Sequence, residues 1–346
     1  MATAPPTIKC HSLRKSFSTY EKGAGMLGSL RSFFHRTYRT VTAVDNFSFE
    51  AGSSQIIGLL GPNGAGKTTI MKMLTGIIVP SSGTVEVLGH VPSARSRELR
   101  KKISLVMGQK SQLWWDIPAY DSLQLLGHYY EVAPPVFRRR VHELSEMLSV
   151  ENLLHIHVRK LSLGERMKLE LMASLLHEPE VLFLDEPTIG LDLVAQRKIR
   201  KFLLEYQKLR GTTIILTSHY MGDVHALADR IVLLLDGQSR FDGTLTEFEN
   251  LFGHEKYVQV EFSRAVDQND SLWQSLHPEW EPDGLRVELR ISADAFRETL
   301  NAITARFPIS NLSSEKLPIE RVMTSILENP HLLPTAPELS THSQSI

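Results

Sequence analysis

Gly61-Pro62-Asn63-Gly64-Ala65-Gly66-Lys67-Thr68 sets three glycines, a lysine and a hydroxyl at the spacing G-x-x-x-x-G-K-[ST]. That pattern suits a polyphosphate. The glycines let successive backbone N–H groups turn inward around phosphate oxygens, and the helix expected after Lys67 adds its positive dipole end. Lys67 would supply a point charge to the β- and γ-phosphates, and the Thr68 hydroxyl would ligate Mg²⁺. A second candidate lies at Val181-Leu182-Phe183-Leu184-Asp185-Glu186, four apolar residues followed by two carboxylates. Acids at the end of a buried strand are costly unless they meet a cation or a donor. Asp185 would hold Mg²⁺, and Glu186 is suited to polarise an attacking water.

The elements around these residues alternate. Gln55–Leu60, Val181–Leu184, Thr213–Thr217 and Ile231–Leu235 are apolar runs of buried-strand length, separated by segments of helical spacing. Such alternation predicts a mostly parallel sheet covered on both faces. Short strands are expected at Thr7–His11, Thr40–Phe49 and Thr84–Leu88, and a helix is expected to begin at Thr69–Thr75. The stretch 111–178 is read as mostly helical. Beyond Gly253, alternation at Val258, Val260 and Phe262 and again at Leu285, Val287, Leu289 and Ile291 predicts half-buried strands. Phe296, Leu300, Ile303 and Phe307 share one helix face. The expected organisation is an α/β nucleoside-triphosphatase domain over 1–254, a small α+β domain over 255–328, and a disordered Pro-, Ser- and Thr-rich tail over 329–346.

Composition narrows the class. The 346 residues, 42% hydrophobic and 22% charged, suffice for about two globular domains. Lys+Arg 38 against Asp+Glu 39 leaves a net charge of −1, which argues against a nucleic-acid partner. The single cysteine, Cys10, excludes an intramolecular disulfide framework or a Cys-rich metal site and fits a reducing compartment. Met1–Cys10 lacks the build of a signal peptide, and no apolar run of ~18 residues appears, so nothing here is expected to span a membrane alone.

In order and spacing, Gly61–Thr69 (GPNGAGKTT), Leu161–Glu165 (LSLGE), Asp185–Asp192 (DEPTIGLD) and Ser218-His219 resemble the nucleotide-binding subunit of ABC transporters over about Ile8 to Phe252. The resemblance implies a P-loop ATPase core with an antiparallel β-subdomain and a helical subdomain, working with ATP and Mg²⁺. Gly61 to Thr69 would bind nucleotide. Gln109 corresponds to the glutamine that senses Mg²⁺ and the water, Asp192 to the D-loop aspartate, and His219 to the histidine at the γ-phosphate. Ser162 and Gly164 would face the γ-phosphate held by a second copy, the same chain or a related one. Leu163 and Glu165 depart from the family's usual glycine and glutamine. Physically, Ser162-x-x-Glu165 is a capping box. Phe17, with Tyr20 as the alternative, matches the ring that stacks on adenine; a core role for Phe17 is nearly as good a reading.

The same resemblance implies integral-membrane permease subunits as partners and a place on the cytoplasmic face of a membrane. Leu317–Met323 (LPIERVM) looks like the closing helix of export-type ATPases, which favours export. Glu21–Tyr38 is an unusual insertion with Met26, Leu27, Leu30, Phe33, Phe34 and Tyr38 on one helical face and basic residues nearby. It would lie on a membrane or permease, or fold back over the β-region. Trp114 and Trp115 are either permease anchors or core. Arg95–Lys102 and Arg138–Arg140 read as solvated helix faces. A soluble ABC ATPase of the translation type would carry two such domains, and the DNA-repair type needs a coiled coil for which Thr68 to Ser162 leaves no room. A small-molecule kinase has no use for the Ser162 helix, and a switch GTPase would want N-K-x-D.

Overall fold

A computed structural model describes residues 6–20, 38–108, 110–218, 220–251, 255–292 and 294–316, together with Val322, Met323 and Ile326. It divides into two units, Met1–Asp242 and Gly243–Ile346. The division therefore falls before the 254/255 boundary expected from texture. The short helix Leu245–Glu249, opened by a Thr244/Glu247 capping box, goes with the second unit although strand-like alternation begins only afterwards.

In the first unit β1 (Ile8–Tyr20) and β2 (Tyr38–Ala51) form an antiparallel pair, with β4 (Ser82–Val87) on the other side of β1. Both long strands exceed the lengths expected from sequence. The reason lies in β1, whose register shifts between Cys10 and Leu13, between Leu13 and Lys15, and between Lys15 and Ser16. Each bulge flips the side-chain alternation, so the period of two is lost. Of the insertion read at 21–38, residues 21–37 lie outside the described residues, while Tyr38, expected on its helical face, instead begins β2, paired with Tyr20. The central sheet runs β5 (Ile103–Met107), β6 (Val181–Asp185), β7 (Thr213–Thr217), β3 (Ile56–Leu60), β8 (Arg230–Leu235) and β9 (Gln238–Thr244). Its β5-β6, β6-β7, β7-β3 and β3-β8 pairs are parallel. Val181, Phe183, Ile57, Leu59 and Ile215 pack with Ile8, Phe47, Phe49 and Val85 in one buried cluster that joins this sheet to the antiparallel one.

Helices cover the sheet. α1 (Lys67–Leu74) follows the glycine loop and buries Ile70, Met71, Met73 and Leu74. α2 (Ala119–Tyr129), α3 (Pro134–Leu148) and α4 (Leu163–Leu175) make up the helical stretch expected over 111–178. α3 starts with proline where its missing N–H costs nothing. α4 is opened by the Ser162/Glu165 capping box. α5 (Leu193–Arg210) ends on Gly211 at φ 67, the left-handed cap that glycine takes without strain. α6 (Met221–Leu227) follows β7.

Beyond α4, His177 is buried, stacked on Tyr130 at 3.8 Å between centroids with 7° between planes, and its Nε2 lies 3.1 Å from the Ile103 carbonyl. Burial pushes its pKa from 6.5 down to about 4, against the favourable Ile103 hydrogen bond. The unfolded chain thus takes up a proton below 6.5 that the folded chain refuses until about 4. The stability is full above that window and falls as pH drops through it. Between pH 7.5 and 4.5 the native protein should lose about 2–3 kcal/mol more than His177→Phe, which keeps the stack. Denaturant titrations at the two pH values check this; equal losses would contradict it.

The second unit is a four-stranded antiparallel sheet, β11 (Glu279–Trp280), β12 (Arg286–Ser292), β10 (Glu255–Phe262) and β13 (Ile309–Lys316), with α7 (Phe296–Arg306). Val258, Val260, Val287, Leu289, Ile291 and Ile303 form its core. Trp273 is buried against Phe307, 4.7 Å between centroids, and Trp280, 5.2 Å. The expected strands β10 and β12 and the α7 face are present. β13 escaped sequence reading because ISNLSSEK has almost no apolar residues to alternate. The tail 329–346 and most of Leu317–Met323 lie outside the described residues; Val322 and Met323 are buried.

Candidate functional site

The parallel register brings three strand ends to one edge. Met107 pairs with Asp185, Asp185 with Thr217, and Thr217 with Leu59. The chain therefore leaves β5, β6, β7 and β3 side by side, at the carboxyl edge where open α/β sheets bind ligands. Leu60 leads into the glycine loop. Gly61 has φ 142, and an added Cβ would sit 2.2 Å from the Leu234 carbonyl; at Gly66, φ 102, it would sit 2.5 Å from the Ala43 carbonyl. Only glycine lets the loop lie this close to the neighbouring backbone. Gly64, also at positive φ, faces open space, as a loop meant to receive a ligand requires.

Lys67 is buried and folds its ammonium over the loop, 2.7 Å from the Gly61 carbonyl and 2.9 Å from that of Pro62. Burial lowers its pKa, with Glu186 and then Asp185 acting the other way. The Thr68 hydroxyl lies 3.1 and 3.0 Å from the two Asp185 oxygens, so phosphate loop and acidic strand end meet directly. Thr217 donates to Asp185 at 2.8 Å, while the Glu186 N–H reaches both the Thr217 carbonyl and its hydroxyl at 3.1 Å. Glu186 sits at φ 55, a left-handed conformation that side chains rarely adopt and that clusters at functional sites. Its carbonyl lies 2.3 Å from where a Cβ on Gly108 would be, and the Gly108 N–H donates to the Asp185 carbonyl at 2.9 Å. Gly108 is thereby held against the acidic pair.

Thr68, Lys72, Met107, Gly108, Lys110, Asp185 and Glu186 line a cleft of about 220 Å³. The oxygen donors Thr68 and Asp185 suit a hard cation completed by water and phosphate oxygens, the usual arrangement for Mg²⁺. Among the described residues no cluster of three or more His, Cys, Asp or Glu could form an all-protein metal cage. Sequence reading did not single out Thr217, Lys72 or Lys110. Thr217 is the last residue of an apolar strand and only the register reveals its partners. The two lysines sit among ordinary surface charges in the sequence.

Of the other candidates, Pro62, Asn63 and Ala65 belong to the loop, and Thr69 lies one residue into α1 beyond Thr68. Gln109 and His219 lie outside the described residues; their neighbours Gly108 and Ser218 follow β5 and β7 at the same edge. Ser162, Gly164 and Asp192 do not line the cleft. They form a second cluster at the starts of α4 and α5. Ser162 N–H and hydroxyl donate to Glu165 at 2.9 and 2.8 Å, which holds that carboxyl below its usual range. Asp192 caps α5 by accepting from Val194 and Ala195 at 2.9 and 2.8 Å. A Cβ on Gly164 would stand 3.2 Å from that of Ala195, and one on Gly190 3.2 Å from Leu163. The two helix starts are therefore in close contact, with Leu163 against the turn before Asp192. Phe17 lies on β1 opposite Val41, 38% exposed, with the Lys15 ammonium 5.2 Å from its ring centre. Trp114 and Trp115 are about half exposed, and Arg166 lies over Trp115.

This fold and site define a nucleotide-binding α/β cassette. The ABC transporter family model matches residues 44–189. The Nod factor export ATP-binding protein I of Neorhizobium galegae is 35% identical over 62% of this chain and 62% of its own length. The linearmycin resistance ATP-binding protein LnrL of Bacillus subtilis is 31% identical over 66% of this chain and 73% of its own. Among solved structures, CbiO1 of Clostridium perfringens, part of the ABC transporter complex CbiONQ, is 25% identical with a TM-score of 0.57, covering 70% of this chain and 90% of that one. The chain belongs to the ABC transporter family, as an ATP-binding protein. It spans less than two thirds of the Nod factor export relative.

Proposed function

We propose that this chain binds and hydrolyses ATP to power an ABC transporter of export type, acting through separate permease subunits at the cytoplasmic face of a membrane. The contact between Thr68 and Asp185, beside Glu186 and under the glycine loop, is the observation that carries this reading. No helix among the described residues is long and apolar enough to cross a membrane. The first unit is the motor and the second an accessory. Two copies, the same chain or a related one, would close on two ATP molecules, each copy presenting Ser162 and Gly164 to the other's nucleotide.

The residues divide the work. Loop N–H groups and Lys67 bind the phosphates. Thr68 and Asp185 hold the metal, and bound Mg²⁺ would neutralise charge on the β- and γ-phosphate oxygens. Glu186 takes a proton from the attacking water, with Gln109 and His219 assigned to the water and the γ-phosphate. Phe17 is assigned to adenine. Export rests on Leu317–Met323 and on the names of the Nod factor and linearmycin relatives.

Phosphate release measured across a Mg²⁺ titration tests the reading. The native protein should hydrolyse ATP, and chelation should abolish turnover. Thr217→Val removes a donor to Asp185 worth about 1–2 kcal/mol, so half-maximal activity should need about tenfold more Mg²⁺. Metal-independent release, or an unchanged Mg²⁺ requirement in the variant, would contradict the assignment.

A further inference from the structure

One buried carboxylate outside the cleft ties its two catalytic edges together. Asp223, in α6, is 1% exposed. Its Oδ2 accepts from the hydroxyls of Thr188 and Ser218, the latter at 2.8 Å, and its Oδ1 lies 3.1 Å from Arg200 Nε. Thr188 stands two residues after Glu186, in a turn closed by the Ile189 N–H on the Glu186 carbonyl. Ser218 immediately precedes residue 219, and its oxygen also accepts the Tyr220 N–H at 3.0 Å, which ties the chain on both sides of that position. Arg200 belongs to α5, the helix capped by Asp192. Its other nitrogens donate to the Gly222 carbonyl at 3.1 Å and to Gln196 at 3.2 Å. Four stretches of chain therefore converge on one anion: the turn after Glu186, the exit of β7, the body of α5, and α6 itself.

We propose that Asp223 is a positioning residue for ATP hydrolysis, fixing the turn that carries Glu186 against Ser218 at the exit of β7. The inference rests on the proposed function, because it assumes that the cleft hydrolyses ATP. The physical case follows from burial. A carboxylate removed from water is retained only with partners: Thr188 and Ser218 satisfy Oδ2 by hydrogen bonds, and the Arg200 guanidinium faces Oδ1 as an ion pair, holding it by charge rather than by a hydrogen bond. Hydrogen bonds to a charged acceptor are about twice as strong as neutral ones, so the hub resists separation of its arms. It touches neither loop N–H groups, Lys67 nor Thr68, so it can govern the chemical step without governing nucleotide affinity.

Asp223→Asn in the full chain replaces one acceptor oxygen by a donor that meets Thr188, Ser218 or Arg200 with the wrong polarity. The expected result is kcat lower by about 10–100-fold, as for a small misplacement of reacting groups, with ATP affinity within about twofold of native. Because the loss acts partly through Glu186, it should not multiply with Glu186→Gln in the double variant. Thr188→Val and Ser218→Ala each remove one arm while leaving the Asp223–Arg200 pair. Each should lower kcat by about 3–10-fold at unchanged affinity, which keeps the test decisive if Asp223→Asn does not fold. Native kcat in these variants, loss of affinity in proportion to kcat, or fully multiplicative effects with Glu186→Gln would overturn the positioning role alone. A native chain without Mg²⁺-dependent ATPase would overturn the proposed function along with it.

Discussion

Glu186→Gln should lower kcat for ATP hydrolysis by about 10²–10³-fold while leaving ATP affinity within about twofold. Glutamine keeps the shape of the side chain and cannot take a proton from water. The backbone that places it is independent of the carboxylate: the Glu186 N–H is held by Thr217, and its carbonyl packs on Gly108. The variant should therefore fold as the native protein does, and with ATP and Mg²⁺ it should accumulate as a closed pair of ATPase subunits. Single-turnover kinetics and size-exclusion chromatography with ATP check both halves. Turnover at the native rate would remove Glu186 from the role of base.

Lys67→Ala should instead abolish binding, weakening ATP affinity by about 10²-fold or more, the loss expected for charge-assisted contacts of 1.5–3 kcal/mol to more than one phosphate. Lys67 is buried beside Asp185 and Glu186, and its removal leaves those carboxylates facing a triphosphate with less compensating charge. Lys72 and Lys110 line the same cleft but cannot restore the buried charge over the loop. Equilibrium binding of a fluorescent ATP analogue separates the two variants: Glu186→Gln binds and stalls, Lys67→Ala does not bind. Retained affinity in Lys67→Ala would mean that the loop does not carry the phosphates.

Much of this was legible because the chemistry sits in contiguous segments. Gly61–Thr68 and Val181–Glu186 each place strand, turn and reactive groups within a few residues, so spacing alone exposes them. What sequence could not show depends on register and on buried polar contacts. Thr217 matters because it pairs with Asp185 across two strands. Asp223 matters because Thr188 and Arg200, distant in sequence, converge on it together with the nearby Ser218. Neither position has a local pattern to betray it. Asp192, which the resemblance assigns as the D-loop aspartate, also caps α5 with two hydrogen bonds that spacing alone did not reveal. The extension of β1 beyond the expected Thr7–His11 and the polar strand β13 were missed because bulges break a period of two and edge strands need not have one.

Under the proposed function, ATP turnover at this site drives a membrane permease. The most direct measurement is recovery of tagged Glu186→Gln from detergent-solubilised membranes in ATP and Mg²⁺, with the co-purifying proteins identified by mass spectrometry. Proteins with several membrane spans should be recovered in stoichiometric amounts, and lost when Lys67→Ala is introduced as well. Recovery of the ATPase alone, or with ribosomes, would contradict it.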